Sequence, residues 1–219
     1  MTRILFRAAL CAALLGPVAA TAKVEASPHN MSAGGPGTVK DAGANQVCAF
    51  CHVGHTGGMG GGGRALWVPD GPPTIYKLYE SSTLQSTLNQ PTGSSRICLS
   101  CHDGTTAAGI LRKKGGKKPG GMRVTGKNSL GTDLSDDHPI SFVYDQALAA
   151  KQGQLADPAS LPKTVRLDEA RQVQCTTCHD PHDQGRRSFL RMDDRGGALC
   201  ATCHRPTNWA GSSHATSTA

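Results

Sequence analysis

The chain has 219 residues, of which 37% are apolar and only 4% aromatic, with 27 Gly and 13 Pro. By length that is one large domain or two small ones, yet the apolar content is too thin for a conventional packed core of this size. A formal net charge of +7 accompanies nine Cys and nine His, so either much of the chain is disordered or something other than side chains fills its middle.

Residues 1–22 read as a secretory signal and 23–219 as the mature domain. Arg3 and Arg7 supply a positive start, residues 10–20 form an apolar run too short to span a bilayer, and Ala20-Thr21-Ala22 fits a small-residue cleavage site. Cys11 lies inside the apolar run after Leu10, where a lipoprotein site needs a small residue, and reads as one more apolar residue. No later stretch approaches the roughly 20 apolar residues of a membrane helix. The mature chain is expected to be exported, to the periplasm or the extracellular surface, without a transmembrane segment.

Cys48-Ala49-Phe50-Cys51-His52 comes first, followed by His55 and a run of glycines at 57–63. That run lacks the Lys-Ser/Thr ending of a phosphate-binding loop. Trp67, Tyr76 and Tyr79 follow, aromatics expected to pack on a flat cofactor. Cys98-Leu99-Ser100-Cys101-His102 is next, then a Lys-rich loop around 112–118, then Asp136-Asp137-His138-Pro139-Ile140. Residues 142–150 are expected to form a short helix and 171–174 a short extended run. They lead into Cys175-Thr176-Thr177-Cys178-His179, with His182 close behind, and Cys200-Ala201-Thr202-Cys203-His204. Frequent Gly and Pro break everything else. The expected fold is mainly coil with short α-helices at the motifs and little β structure.

The eight Cys outside the signal thus form four pairs, each with two residues between and His after the second. Two thiols at this spacing can add to the two vinyl groups of one haem, and the adjacent His can ligate its iron. Zinc ribbons use paired Cys but need no His after them. With His at 9 of 219 residues, four such His arise by chance roughly a few times in a million. Thioredoxin-type pairs require a βαβ setting that is absent, and disulfides between residues three apart constrain little. The motifs predict four covalently attached haem c groups, with Cys48, Cys51, Cys98, Cys101, Cys175, Cys178, Cys200 and Cys203 as tethers. His52, His102, His179 and His204 are the proximal ligands.

Five His remain for the second axial positions: His29, His55, His138, His182 and His214. His55 and His182 each follow a proximal His by three residues and cannot easily share its iron. Each is expected to reach another haem, which locks haems into neighbouring pairs. His138 is stiffened by Pro139. His29 and His214 compete for the last place. Bis-His ligation leaves iron able to pass electrons and without an open position for a substrate. The leading function is therefore electron transfer. The alternative is a multihaem reductase of a small nitrogen or sulfur oxyanion, which would need one exchangeable site.

Cys48–His55, Asp136-Asp137-His138-Pro139 and Cys175–His182, ending Cys-His-Asp-Pro-His, resemble the doubled CxxCH multihaem c-type cytochromes. Residues 94–106, Phe189-Leu190-Arg191 and 198–204 resemble them as well. Haem count and length are similar to the tetrahaem cytochromes that polymerise into filaments, the OmcE type. The resemblance implies redox partner proteins, and it opens a homopolymer in which the surplus His29 or His214 ligates a haem of the next copy. No nucleic acid is expected as a partner: no binding motif accompanies the positive charge, the chain is expected to be exported, and haem propionates would cancel most of the charge.

Overall fold

The computed structural model describes residues 23–52, 74–105, 123–208 and 211–213. Most of this is coil and turn. The α-helices among the described residues are α1 (Gly93–His102), α2 (Gln146–Gln152) and α3 (Cys175–Cys178), and the strands are β1 (Phe142–Val143) and β2 (Gln172–Val173). Short 3-10 turns include Cys48–Phe50 and Cys200–Thr202. β1 and β2 pair antiparallel, with Phe142 opposite Val173. This is the coil-rich fold with little β structure that the composition predicts. No helix among the described residues is long and apolar enough to cross a membrane.

The helix expected over 142–150 starts later, at Gln146. Asp145 is extended (φ −123°, ψ 176°) and its carboxylate accepts the Leu148 N–H at 2.9 Å, an N-cap that fixes the first turn. Phe142 and Val143 ahead of it suit a pleated strand. The helix stops at Gly153, whose φ of 77° gives the left-handed C-terminal cap. The extended run expected over 171–174 contains β2.

The described apolar residues gather in three small clusters rather than one core. Met31, Ala44 and Phe50 form one, beside Cys51. Tyr76, Leu99 and Leu134 form the second. Phe142, Tyr144, Leu148, Ala149 and Val173 form the third, with Cys203 against it. Each cluster includes or borders a CxxCH residue. Burying a large apolar side chain contributes about 1.5–3 kcal/mol, against about 1–2 kcal/mol of backbone entropy for every residue ordered. Clusters this small do not by themselves order so much coil.

Polar contacts lock α1 to α3. Gln174 is only 1% exposed. Its backbone N–H donates to Thr177 Oγ1 at 2.9 Å, closing the start of α3. Its side chain accepts from Ser141 Oγ at 3.0 Å and donates to Asp168 at 2.9 Å and Gln172 at 3.1 Å. From α1, Ser95 Oγ accepts the Cys175 N–H at 2.9 Å, and the Ser94 and Thr176 hydroxyls lie 2.7 Å apart. Gly93 opens α1 with φ +53°, where an added Cβ would lie 3.0 Å from Gln174 Nε2. The second and third CxxCH motifs are thereby held side by side.

Candidate functional site

One turn of helix puts residues three apart on one face, so each CxxC presents both thiols together. Cys98 and Cys101 occupy the end of α1, with His102 its last residue, and Cys175 and Cys178 bound α3. Cys48 and Cys200 each open a 3-10 turn. All eight thiols are free of disulfides; Cys48 and Cys200 are exposed and the other six partly buried. Burial pushes the thiols of Cys101 and Cys178 up to about 11 and raises those of Cys51 and Cys203. Cys98 is raised first by its contact with the Cys175 thiol and then by burial.

These mutual effects trace which motifs are neighbours. The Cys51 thiol acts on Cys98 and Cys101, Cys98 adjoins Cys175, and Cys178 feels Cys203 and Cys200. Successive motifs are therefore neighbours in space.

The imidazoles meet in pairs. His29 faces His102 with ring centroids 6.1 Å apart and planes at 80°. His52 faces His182 at 6.0 Å and 37°. His138 faces His204 at 6.1 Å and 81°. These separations suit edge-to-face or tilted ring contacts and are too long for a direct hydrogen bond between ring nitrogens. Burial lowers the pKa of His29 and His204, and the facing imidazole lowers each further. The neutral imidazole is the form that ligates metal.

Second partners fix several of these rings. The Nδ1 atoms of His102, His138 and His179 lie 2.7, 2.8 and 2.7 Å from the carbonyl oxygens of Asn128, Pro139 and Ser188. His182 Nδ1 lies 3.3 Å from Asp180 Oδ1. Occupying Nδ1 in this way leaves Nε2 to act as a metal ligand. His29 differs: its Nδ1 is buried without a hydrogen-bond partner, close to the Pro181 backbone.

The pair spacing tests whether iron fits. A metal–imidazole bond is about 2.0 Å and the ring centroid lies about 1.1 Å behind the nitrogen, so two imidazoles on opposite sides of one ion have centroids about 6.2 Å apart. All three pairs match within about 0.2 Å on that estimate. Each pair contains one His that follows a CxxC, so tethering thiols accompany every gap. Among the described residues no three or more His, Cys, Asp or Glu side chains converge as a bare metal site would require. The donor set fits haem.

His29, His138 and His182 thus each face a His of a CxxCH motif. His179 meets no second imidazole among the described residues. His55 and His214 lie outside those residues, as do the signal segment, Trp67, the glycine run and the Lys-rich loop. Tyr76 is buried under α1, its hydroxyl donating to Asp103 at 2.8 Å. Sequence reasoning missed the partners of Nδ1. Three are backbone carbonyls, which carry no side-chain signal. Asp180 was legible in principle, lying between His179 and His182.

Residues 169–208, which hold the third and fourth motifs, match the family model described as the doubled CXXCH motif. The match supports a multihaem c-type cytochrome with covalently bound haem c. No curated protein matches the chain.

Proposed function

We propose that this chain is an exported tetrahaem cytochrome that relays electrons between a membrane-side donor and a periplasmic or extracellular acceptor. The observation that carries the reading is the recurrence of three imidazole pairs at 6.0–6.1 Å, each built on a CxxCH histidine. In this reading His52 with His182, His102 with His29, and His204 with His138 hold three irons. His55 serves His179, because His182, three residues after His179, serves the motif in which His55 follows His52 by the same interval. His214 is then surplus, and ligation between copies in a homopolymer would rest on it.

When bound, an iron held by two imidazoles exchanges one electron and offers no open position to a small substrate. The chain's own residues do the rest. The Cys pairs fix each ring at a helical turn. The carbonyls of Asn128, Pro139 and Ser188 keep ligand rings from turning, and the Asp180 carboxylate sets the charge beside His182. The contacts between α1 and α3 hold the second and third centres close. Cys48 and Cys200, the exposed thiols, belong to the first and fourth motifs, which supports entry and exit of electrons at those two motifs. Redox partner proteins would meet them through small, transient contacts.

The test uses the purified mature holoprotein. Pyridine haemochrome analysis is expected to give four c-type haems per chain, and EPR of the oxidised protein only low-spin ferric signals. A high-spin ferric signal together with turnover of nitrite or hydroxylamine would favour the reductase and overturn the carrier. Electron microscopy decides polymerisation: single particles under all conditions would exclude the homopolymer.

A further inference from the structure

We propose that Phe189 is a positioning residue that sets the ring plane of His29, and that the two-residue turn Ser188–Phe189 thereby orients axial ligands of two different haems. The proposal rests on reading His29 and His179 as iron ligands. Ser188 and Phe189 both adopt left-handed conformations, with φ of 53° and 59°. Residues with a β-carbon avoid that region, and two in succession persist only where the surroundings over-determine them. Here they do. Phe189 N–H donates to the Arg186 carbonyl at 3.1 Å, Asp180 N–H to the Phe189 carbonyl at 2.7 Å, and Arg191 N–H to the Cys178 carbonyl at 2.8 Å. Leu190 bridges His179 in antiparallel fashion.

The contorted turn aims two groups at once. The Ser188 carbonyl lies 2.7 Å from His179 Nδ1. The Phe189 ring lies against His29, centroids 4.6 Å apart and planes tilted by 35°. For His179 a hydrogen bond fixes the ring. His29 has only a loose contact with the Pro181 backbone, its buried Nδ1 making no hydrogen bond of good geometry. The flat face of Phe189 supplies the restraint that this contact lacks and holds His29 at 80° to His102.

The angle between axial imidazole planes governs the EPR anisotropy of low-spin ferric haem. Near-perpendicular planes give a large-gmax signal and near-parallel planes a rhombic one. Of its four signals, the wild-type protein is therefore expected to show two large-gmax signals from the pairs at 80° and 81° and a rhombic one from the pair at 37°, the His179 haem adding the fourth. In Phe189→Leu, four haems are retained and one large-gmax signal moves towards rhombic. Phe189→Tyr keeps the ring and the wild-type spectrum. A Phe189→Leu holoprotein with both large-gmax signals in place overturns the proposal. A wild-type spectrum with no bis-imidazole low-spin signals instead overturns the ligand reading on which it rests. Should Phe189→Leu not mature, NMR of wild-type protein carrying 13C-labelled Phe decides. One Phe ring, lost in Phe189→Tyr, should shift with the oxidation of a single haem, and the absence of any such ring overturns the proposal.

Discussion

Asp180 gives the most direct test of how the chain tunes its centres. One carboxylate oxygen lies 3.3 Å from His182 Nδ1 and the other 3.0 Å from an Arg191 guanidinium nitrogen. An iron on the far side of the His182 ring would lie about 7 Å from the carboxylate by ordinary metal–imidazole dimensions. At an effective dielectric of about 20, a unit charge at that distance is worth about 2.4 kcal/mol. Arg191 opposes it, and the Asp180 side chain is 30% exposed, so solvent screens it further. About a third should survive: about 0.8 kcal/mol, or about 35 mV for a one-electron couple. The carboxylate favours the more positive, oxidised centre, so Asp180→Asn should raise the potential. In protein-film voltammetry of a variant with full haem content, one of four waves is expected about 20–50 mV higher, the others unmoved. No shift, or a downward one, would refute the assignment of His182 as a ligand tuned by Asp180.

His138→Met exchanges an imidazole for a thioether opposite His204; it should raise one potential while the protein still matures, and four unchanged waves would remove His138 from the ligand set. Gln174→Leu deletes one buried and two partly buried side-chain hydrogen bonds, each worth about 0.5–1.5 kcal/mol, and strands their partners. The holoprotein should lose about 2–4 kcal/mol, seen as a lower denaturant midpoint. The mature polypeptide produced without haem attachment should lack a cooperative unfolding transition by circular dichroism, because the apolar clusters among the described residues are too small to order the coil.

Much of the candidate site was legible in the sequence because the chemistry of haem attachment is local. Two thiols and a His must lie within five residues, so each motif is complete in one window. The coil-rich fold was legible for a related reason: with 27 Gly, 13 Pro and 4% aromatics, no sustained periodicity exists to follow. The start of α2 was misplaced because its N-cap, Asp145, outweighs the apolar run ahead of it. The distal partners were harder. His29 and His102 are 73 residues apart in sequence yet face each other, and nothing local encodes that approach. Phe189 on His29 was invisible for the same reason, and the carbonyls on Nδ1 have no residue type to betray them.

By itself, then, the sequence determined the number and kind of CxxCH motifs, the surplus of His over those motifs, and a composition too thin in apolar residues for a large core. These follow from covalent spacing and composition, which do not depend on how the chain is folded. Only the tertiary structure decided which imidazoles face each other, at what ring angle, and which motifs are neighbours in space. Those depend on long-range contacts such as the lock of Gln174, Ser95 and Ser141 between α1 and α3. Such buried polar side chains look like ordinary surface residues until their partners are known.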